Sequence, residues 1–306
     1  MALSVEKIYQ NPALKSTLKF ASEHSLLFTT ASSFILGTTV RPLAIKLSPK
    51  TDKQDKSTIT KKSIASSLSG LIFSTIFSVP FAKGLQKIDL NPKKYLTKET
   101  ISNLQEGAKN LQASKKYQFI SQLFKLGLGV VLAYPKAITT NSIISKMSSK
   151  KEENTPSFTG SEKIISKAMN SSFVQNVSDK FKNTNFTTGM MCFSDIFSTL
   201  AFINMTNKNK SLEKHKKNVL NLNSVLSTAL CIVSGLILDN ISDKSLLKFQ
   251  ENLKKYNPNS LDISKYTQGA KIAKTSLIFG SIYYFLIPFL STFLSSKILK
   301  NEQKTK

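Results

Sequence analysis

Three ionisable side chains interrupt otherwise apolar runs, and they are the residues best placed to do chemistry. Lys125 sits within QLFKLGLGVV, Asp195 within MMCFSDIFSTL, and Arg41 lies beside Pro42 near the end of a third run. A charge held at membrane depth is costly, so it is a functional candidate by default. The chemistry on offer is electrostatic. Lys125 and Asp195 are expected to pair near the membrane centre and to gate or couple solute movement. The plainer reading lets Lys125 snorkel and Asp195 face a wet crevice. Arg41 is expected to anchor its helix at the interface. Its alternative role is a guanidinium site for a phosphate or carboxylate group.

Covalent and metal chemistry find little support. Cys192 and Cys231 both lie in apolar runs and read as small packing residues. His24 and His215 lie in polar flanks, far apart. No HExxH, CxxC, P-loop, GxGxxG or GxSxG pattern is present. The chain is therefore expected not to be an enzyme and to use neither metal nor cofactor.

The elements that position these charges are six apolar stretches: Ser25–Ile45, Ile64–Ala82, Tyr117–Ile138, Phe186–Thr206, Val219–Ile241 and Thr275–Ser296. About 20 largely apolar residues carry a helix across a bilayer core. The runs are continuous rather than alternating, which favours helices over strands. Pro42, Pro135 and Pro288 fall inside or near the ends of these runs and are candidates for helix bends. The expected fold is all-α: a multi-pass membrane bundle of about six spanning helices with short amphipathic helices on its surface.

Those surface helices are expected at Val5–Ser22, within Asn91–Lys116, at Ser161–Lys182 and within Ser242–Lys274. In the second of these, Thr97 and Thr100 offer caps, and Ile101, Leu104, Ala108 and Leu111 form one stripe. Small residues recur every four positions in two of the runs: Ser66, Gly70, Ser74 and Ser78, then Ser227, Cys231 and Gly235. They are expected to be helix-packing surfaces, within the bundle or across a homodimer.

The net charge of +25 comes almost wholly from lysine, because Arg41 is the only arginine. A nucleic-acid reader would favour arginine forks, and no nucleic-acid-binding signature is present. Nucleic acid is therefore excluded as a partner. The lipid bilayer, with anionic head groups attracting the lysine-rich loops, is the expected one. The lysines divide evenly between the two sets of loops, so the positive-inside rule assigns no orientation.

The runs fall into two sets of three with a nearly constant offset. Glu6-Lys7-Ile8 recurs as Glu162-Lys163-Ile164, Phe28-Thr29-Thr30 as Phe186-Thr187-Thr188, and Lys61-Lys62 as Lys216-Lys217. Gly127, Pro135, Thr139 and Ser142 share their spacing with Gly280, Pro288, Thr292 and Ser295. The chain is thus expected to be two three-helix membrane repeats, 1–150 and 151–306, joined by the polar hinge Ser148–Gly160. Three spans per half would make the repeats inverted, an architecture that recurs in secondary transporters. The expected function is transport of a small solute. The alternative is a non-catalytic membrane-organising or partner-binding protein.

Overall fold

A few capping and helix-breaking residues set the helix boundaries. Asn11 accepts hydrogen bonds from the Ala13 and Leu14 amides, and Pro12 takes the first helical position. Thr97 and Ser114 cap in the same way, accepting from the Thr100 and Tyr117 amides. Glu106 and Gly107 take left-handed backbone angles and end the intervening helix. In the computed structural model, which describes residues 5–111, 114–147, 161–181, 186–258, 260–274 and 280–304, all regular structure is helical.

The helices are α1 (Val5–Gln10), α2 (Pro12–Glu23), α3 (Ser25–Thr38), α4 (Val40–Leu47), α5 (Lys53–Phe73), α6 (Val79–Leu90), α7 (Pro92–Tyr95), α8 (Lys98–Gln105), α9 (Lys115–Lys146), α10 (Ser161–Met169), α11 (Ser172–Phe181), α12 (Phe186–Lys208), α13 (Lys214–Tyr256), α14 (Ile263–Lys274) and α15 (Ile287–Lys304). A π-helical turn, Ser74–Ser78, joins α5 to α6, and a second, Ile282–Leu286, precedes α15. Each turn ends two residues before a proline, Pro80 or Pro288. A proline ring collides with the carbonyl four residues back and donates no hydrogen bond there, which a wider π turn accommodates.

Among the described residues, four helical segments are long and apolar enough to cross a membrane: Lys53–Leu90, Lys115–Lys146, Lys214–Gly235 and Ile282–Asn301. They cover four of the six expected spans. The expected first span breaks at Thr39 into pieces of 14 and 8 residues. The expected fourth corresponds to α12, which is 23 residues long. These two hold equivalent places in the two sequence halves.

The chain packs as two compact units, Met1–Leu68 with Leu212–Lys306, and Ser69–Ser211. The boundary expected at residues 150 and 151, with the hinge Ser148–Gly160, lies outside the described residues. In the first unit α5 and α13 run in the same direction. Asp55 meets His215 at 2.9 Å, and a few turns on Lys62 meets Ser224 at 2.6 Å. The final turns of α4 and the loop beyond it follow α15 in the same sense, with Ser48 donating to the Phe289 carbonyl and Lys300 to the Lys50 carbonyl. In the second unit α9 and α12 are likewise parallel: Thr206 donates to Asn141, and Asn209 donates to Ser145.

This direction lends no support to the expected inverted arrangement. Inverted repeats would set the second and fifth runs antiparallel, yet α5 and α13 run together. Moreover, α10 and α11 pack at the N-terminal end of α9. Ile165 and Met169 join Tyr117, Phe119 and Ile120 in one apolar cluster, and Asp179 pairs with Lys116. The chain thus returns to the end where α9 began before α12 starts. Hence α9 and α12 are not two successive crossings joined by a loop on one side.

Outside the candidate spans, α2 and α14 are tied by ion pairs: Lys19 with Asp262 at 2.8 Å, and Lys265 with Glu23 at 2.8 Å and Asp262 at 3.4 Å. The hydrogen bond from Lys19 holds the Asp262 carboxyl below its usual range, and that from Lys265 does the same for Glu23. Both lysines are held above theirs by the same contacts. The carboxylates therefore stabilise the pairing above about pH 4, and this is lost as pH falls through their lowered values. The lysines stabilise it below about pH 10, and this is lost as pH rises through their raised values. Hydrogen-exchange protection of α14 amides, corrected for intrinsic rate, should be flat from about pH 5 to 9 and fall in acid. Protection unchanged below pH 3 would refute this.

Candidate functional site

Close approach of α3 and α5 begins the site. Ser63 donates to the Gly37 carbonyl at 2.9 Å, and a Cβ on Gly37 would lie 2.1 Å from Ser67 Oγ. A side chain there would force the Ser67 hydroxyl to turn away and press on Ser67 Cβ and the Tyr284 ring at 3.1 and 3.3 Å. The hairpin is antiparallel, since Lys56 Nζ reaches the Lys46 carbonyl at 2.8 Å. Arg41 lies four residues beyond Gly37, past the break at Thr39, and Lys62 immediately precedes Ser63, so the two cations lie on facing arms of the hairpin. Their like charges oppose one another.

From α13, Asn223 and Ser224 accept hydrogen bonds from Lys62 Nζ at 3.3 and 2.6 Å. Asn223 Nδ2 and Ser227 Oγ then donate to Ser291 Oγ of α15 at 3.1 and 3.0 Å. Asn223, Ser227 and Cys231 stand four residues apart, on one face of α13. Cys231 and Tyr284 are the polar neighbours of Arg41. The result is a seam of amides and hydroxyls between helices of membrane-spanning length, carrying two cations at one end. Side chains of Arg41 and Lys62 are half-buried. Among the described residues Arg41 has no hydrogen bond or ion pair.

The expected site residues are placed as follows. Arg41 joins the seam. Pro42 is buried in α4, three residues past the break at Thr39. Pro135 lies inside a continuous α9, while Pro288 follows a π turn, so these equivalent prolines shape their helices differently. Asp195 is exposed on α12, and the cation whose charge reaches it is Lys136 of α9. Lys125 belongs to α9, but its side chain, and with it the expected pair, lies outside the described residues. The small-residue stripe of the fifth run packs inward: Ser227 bonds Ser291, and a Cβ on Gly235 would lie 3.2 Å from Tyr283 Oη.

Sequence reasoning missed Lys62, Asn223, Ser224 and Ser291 as one group. The available signal was the pair of amides, Asn221 and Asn223, inside an apolar run. A second polar group closes the N-terminal end of α9. Lys116, 1% exposed, donates to Asn103 and to Asp179, each at 2.6 Å. Asn103 and Thr100 both bond Gln175, and Tyr117 donates to Asp89. Every polar end of Lys116 and Asn103 meets a protein partner, as a structural network requires. Among the described residues no group of His, Cys, Asp and Glu gathers as a metal site. Compared with family models, curated proteins and solved structures, the chain matches none.

Proposed function

We propose that this chain is an integral membrane protein that moves a small solute, and that the seam of α4, α5, α13 and α15 handles it. One observation carries the reading. Lys62 meets a row of amides and hydroxyls between helices of membrane-spanning length, and Arg41 lies on the hairpin arm beside it.

The finer architecture we propose is two repeats of like direction, with two crossings each. An even number of crossings returns the chain to its starting side, so the second repeat enters as the first did. Such parallel repeats also occur in transporters. Matched packing supports the duplication. Contacts of α1 with α13 mirror those of α10 with α6. Buried or bonded asparagines stand 154 residues apart, Asn103 holding Lys116 and Gln175, Asn257 holding Lys15 and the Tyr9 carbonyl.

Carbonate extraction tests integration, with the chain expected in the membrane pellet. Cysteine labelling then counts crossings. A cysteine at Glu106 and one at Lys7 label from opposite sides with four crossings and from the same side with six alternating ones. Reconstituted vesicles offered a panel of labelled carboxylates, phosphates, sugars and amino acids should take up at least one solute, and Asn223→Leu should abolish that uptake. No uptake by a chain retained in the pellet would favour the membrane-organising reading.

A further inference from the structure

We infer that the two halves of the sequence, 1–150 and 151–306, are obligate partners: each supplies the helices that close the other's core, and the bodies that open and move as one are built from both. The inference rests on the transport reading only for its consequence for movement. Four apolar clusters each draw on both halves. Ile165 and Met169 of α10 sit among Leu85, Ile88, Leu104 and Ile120. Leu18 of α2 sits among Leu253, Tyr266 and Ala270. Ile45 and Ile59 meet Val219 and Leu299, and Ala133 and Ala137 meet Ala201.

Ion pairs repeat the pattern. Lys19 meets Asp262, Lys265 meets Glu23, Asp55 meets His215, and Lys116 meets Asp179. The exchange is reciprocal. Helices α1 and α2, which open the first half, close on α13 and α14 of the second, and α10 and α11, which open the second half, close on α6 and α9 of the first. Of these, α2, α10, α11 and α14 lie outside the candidate spans, where removing apolar side chains from water holds helices together. Drawing the halves apart would open all four clusters at once and strip Lys116, 1% exposed, of its carboxylate. Repeat-built transporters commonly rock one repeat against the other. That motion is closed to halves joined in this way. Solute movement instead keeps each mixed unit intact, Met1–Leu68 with Leu212–Lys306 and Ser69–Ser211.

Hydrogen exchange of the full chain in detergent, read peptide by peptide by mass spectrometry, tests this. Gly269→Ala sets a Cβ against the Leu18 backbone and strains the crossing of α2 and α14. It should speed exchange about tenfold in α14 and by a similar factor in α2 of the other half, and leave α10 and α11 of its own half within about twofold. Asp179→Ala should speed exchange in α10 and α11 and in α8 and the first turns of α9, and leave α14 within about twofold. If Gly269→Ala fails to fold, Leu18→Val is read in its place, and Ile165→Val likewise replaces Asp179→Ala. A variant at the α2–α14 crossing that loosens α10 and α11 as much as α14 while sparing α2 makes the halves the bodies and overturns the inference. Either variant loosening every helix alike also overturns it. Half-wise opening leaves the transport reading standing. Mixed opening in a chain that takes up no solute into vesicles keeps the inference and removes transport.

Discussion

Asp179→Ala should destabilise the chain by about 3 kcal/mol, far more than a surface substitution does. Its carboxylate lies 2.6 Å from Lys116 Nζ, and Lys116 is 1% exposed. Removing the carboxylate leaves a buried ammonium with Asn103 as its remaining acceptor. Losing one partner of a buried pair typically costs 3–5 kcal/mol, because the other charge stays uncompensated. The low end applies here because Asp179 is itself half-exposed. Replacing both residues removes the buried charge, so Lys116→Met with Asp179→Ala should cost less than Asp179→Ala alone. Thermal or denaturant unfolding in detergent measures all three variants. A single variant within 1 kcal/mol of wild type, or a double variant less stable than the single, would contradict the reading.

Gly269→Ala carries the second large effect, and its sign separates two forces. Helix propensity favours alanine over an interior glycine by about 1 kcal/mol. Packing opposes it: a Cβ on Gly269 would lie 1.8 Å from the Leu18 carbonyl oxygen and 2.6 Å from the Leu18 carbonyl carbon. Both are backbone atoms, so no rotamer change relieves the clash, and α2 and α14 must separate. Leu18 and Ala270 are core residues at this crossing. Overpacking costs about 1–3 kcal/mol and sometimes more, so Gly269→Ala should destabilise by about 2 kcal/mol net. Gly127→Ala is the control, because a Cβ there meets nothing within 4 Å. It should be neutral or stabilising. A Gly269→Ala chain as stable as Gly127→Ala would show that the helices do not cross so closely.

Local structure was largely legible in the residues. Thr97 caps α8, Leu104 and Leu111 of the expected stripe are buried, and amphipathic helices form at α1, α2, α10 and α11. Capping and periodicity act over a few residues, so they survive any tertiary arrangement. Boundaries set by competition were less legible. The fifth apolar run and the polar helix after it merge into α13, 43 residues long and ending at Asn257. No helix breaker separates them, and propagation adds a hydrogen bond per residue once a helix exists. The first run breaks at Thr39, although its apolar content alone suggested one continuous span.

By itself, the sequence determined the helical class, the membrane-length apolar segments, the lysine-dominated charge and the sole arginine. Each follows from composition and from periodicity within one element. Only the tertiary structure decided which way helices run beside each other and which polar groups meet. That α5 and α13 run in the same direction shows only in contacts such as Asp55 with His215 and Lys62 with Ser224, which join residues some 160 positions apart. Arg41 gained its neighbours in the same way: Gly37 and Ser63 close a hairpin that brings Lys62 alongside, and α13 adds Asn223 and Ser224. A charge reads the same in any chain, but what it faces depends on long-range packing, which no local pattern encodes.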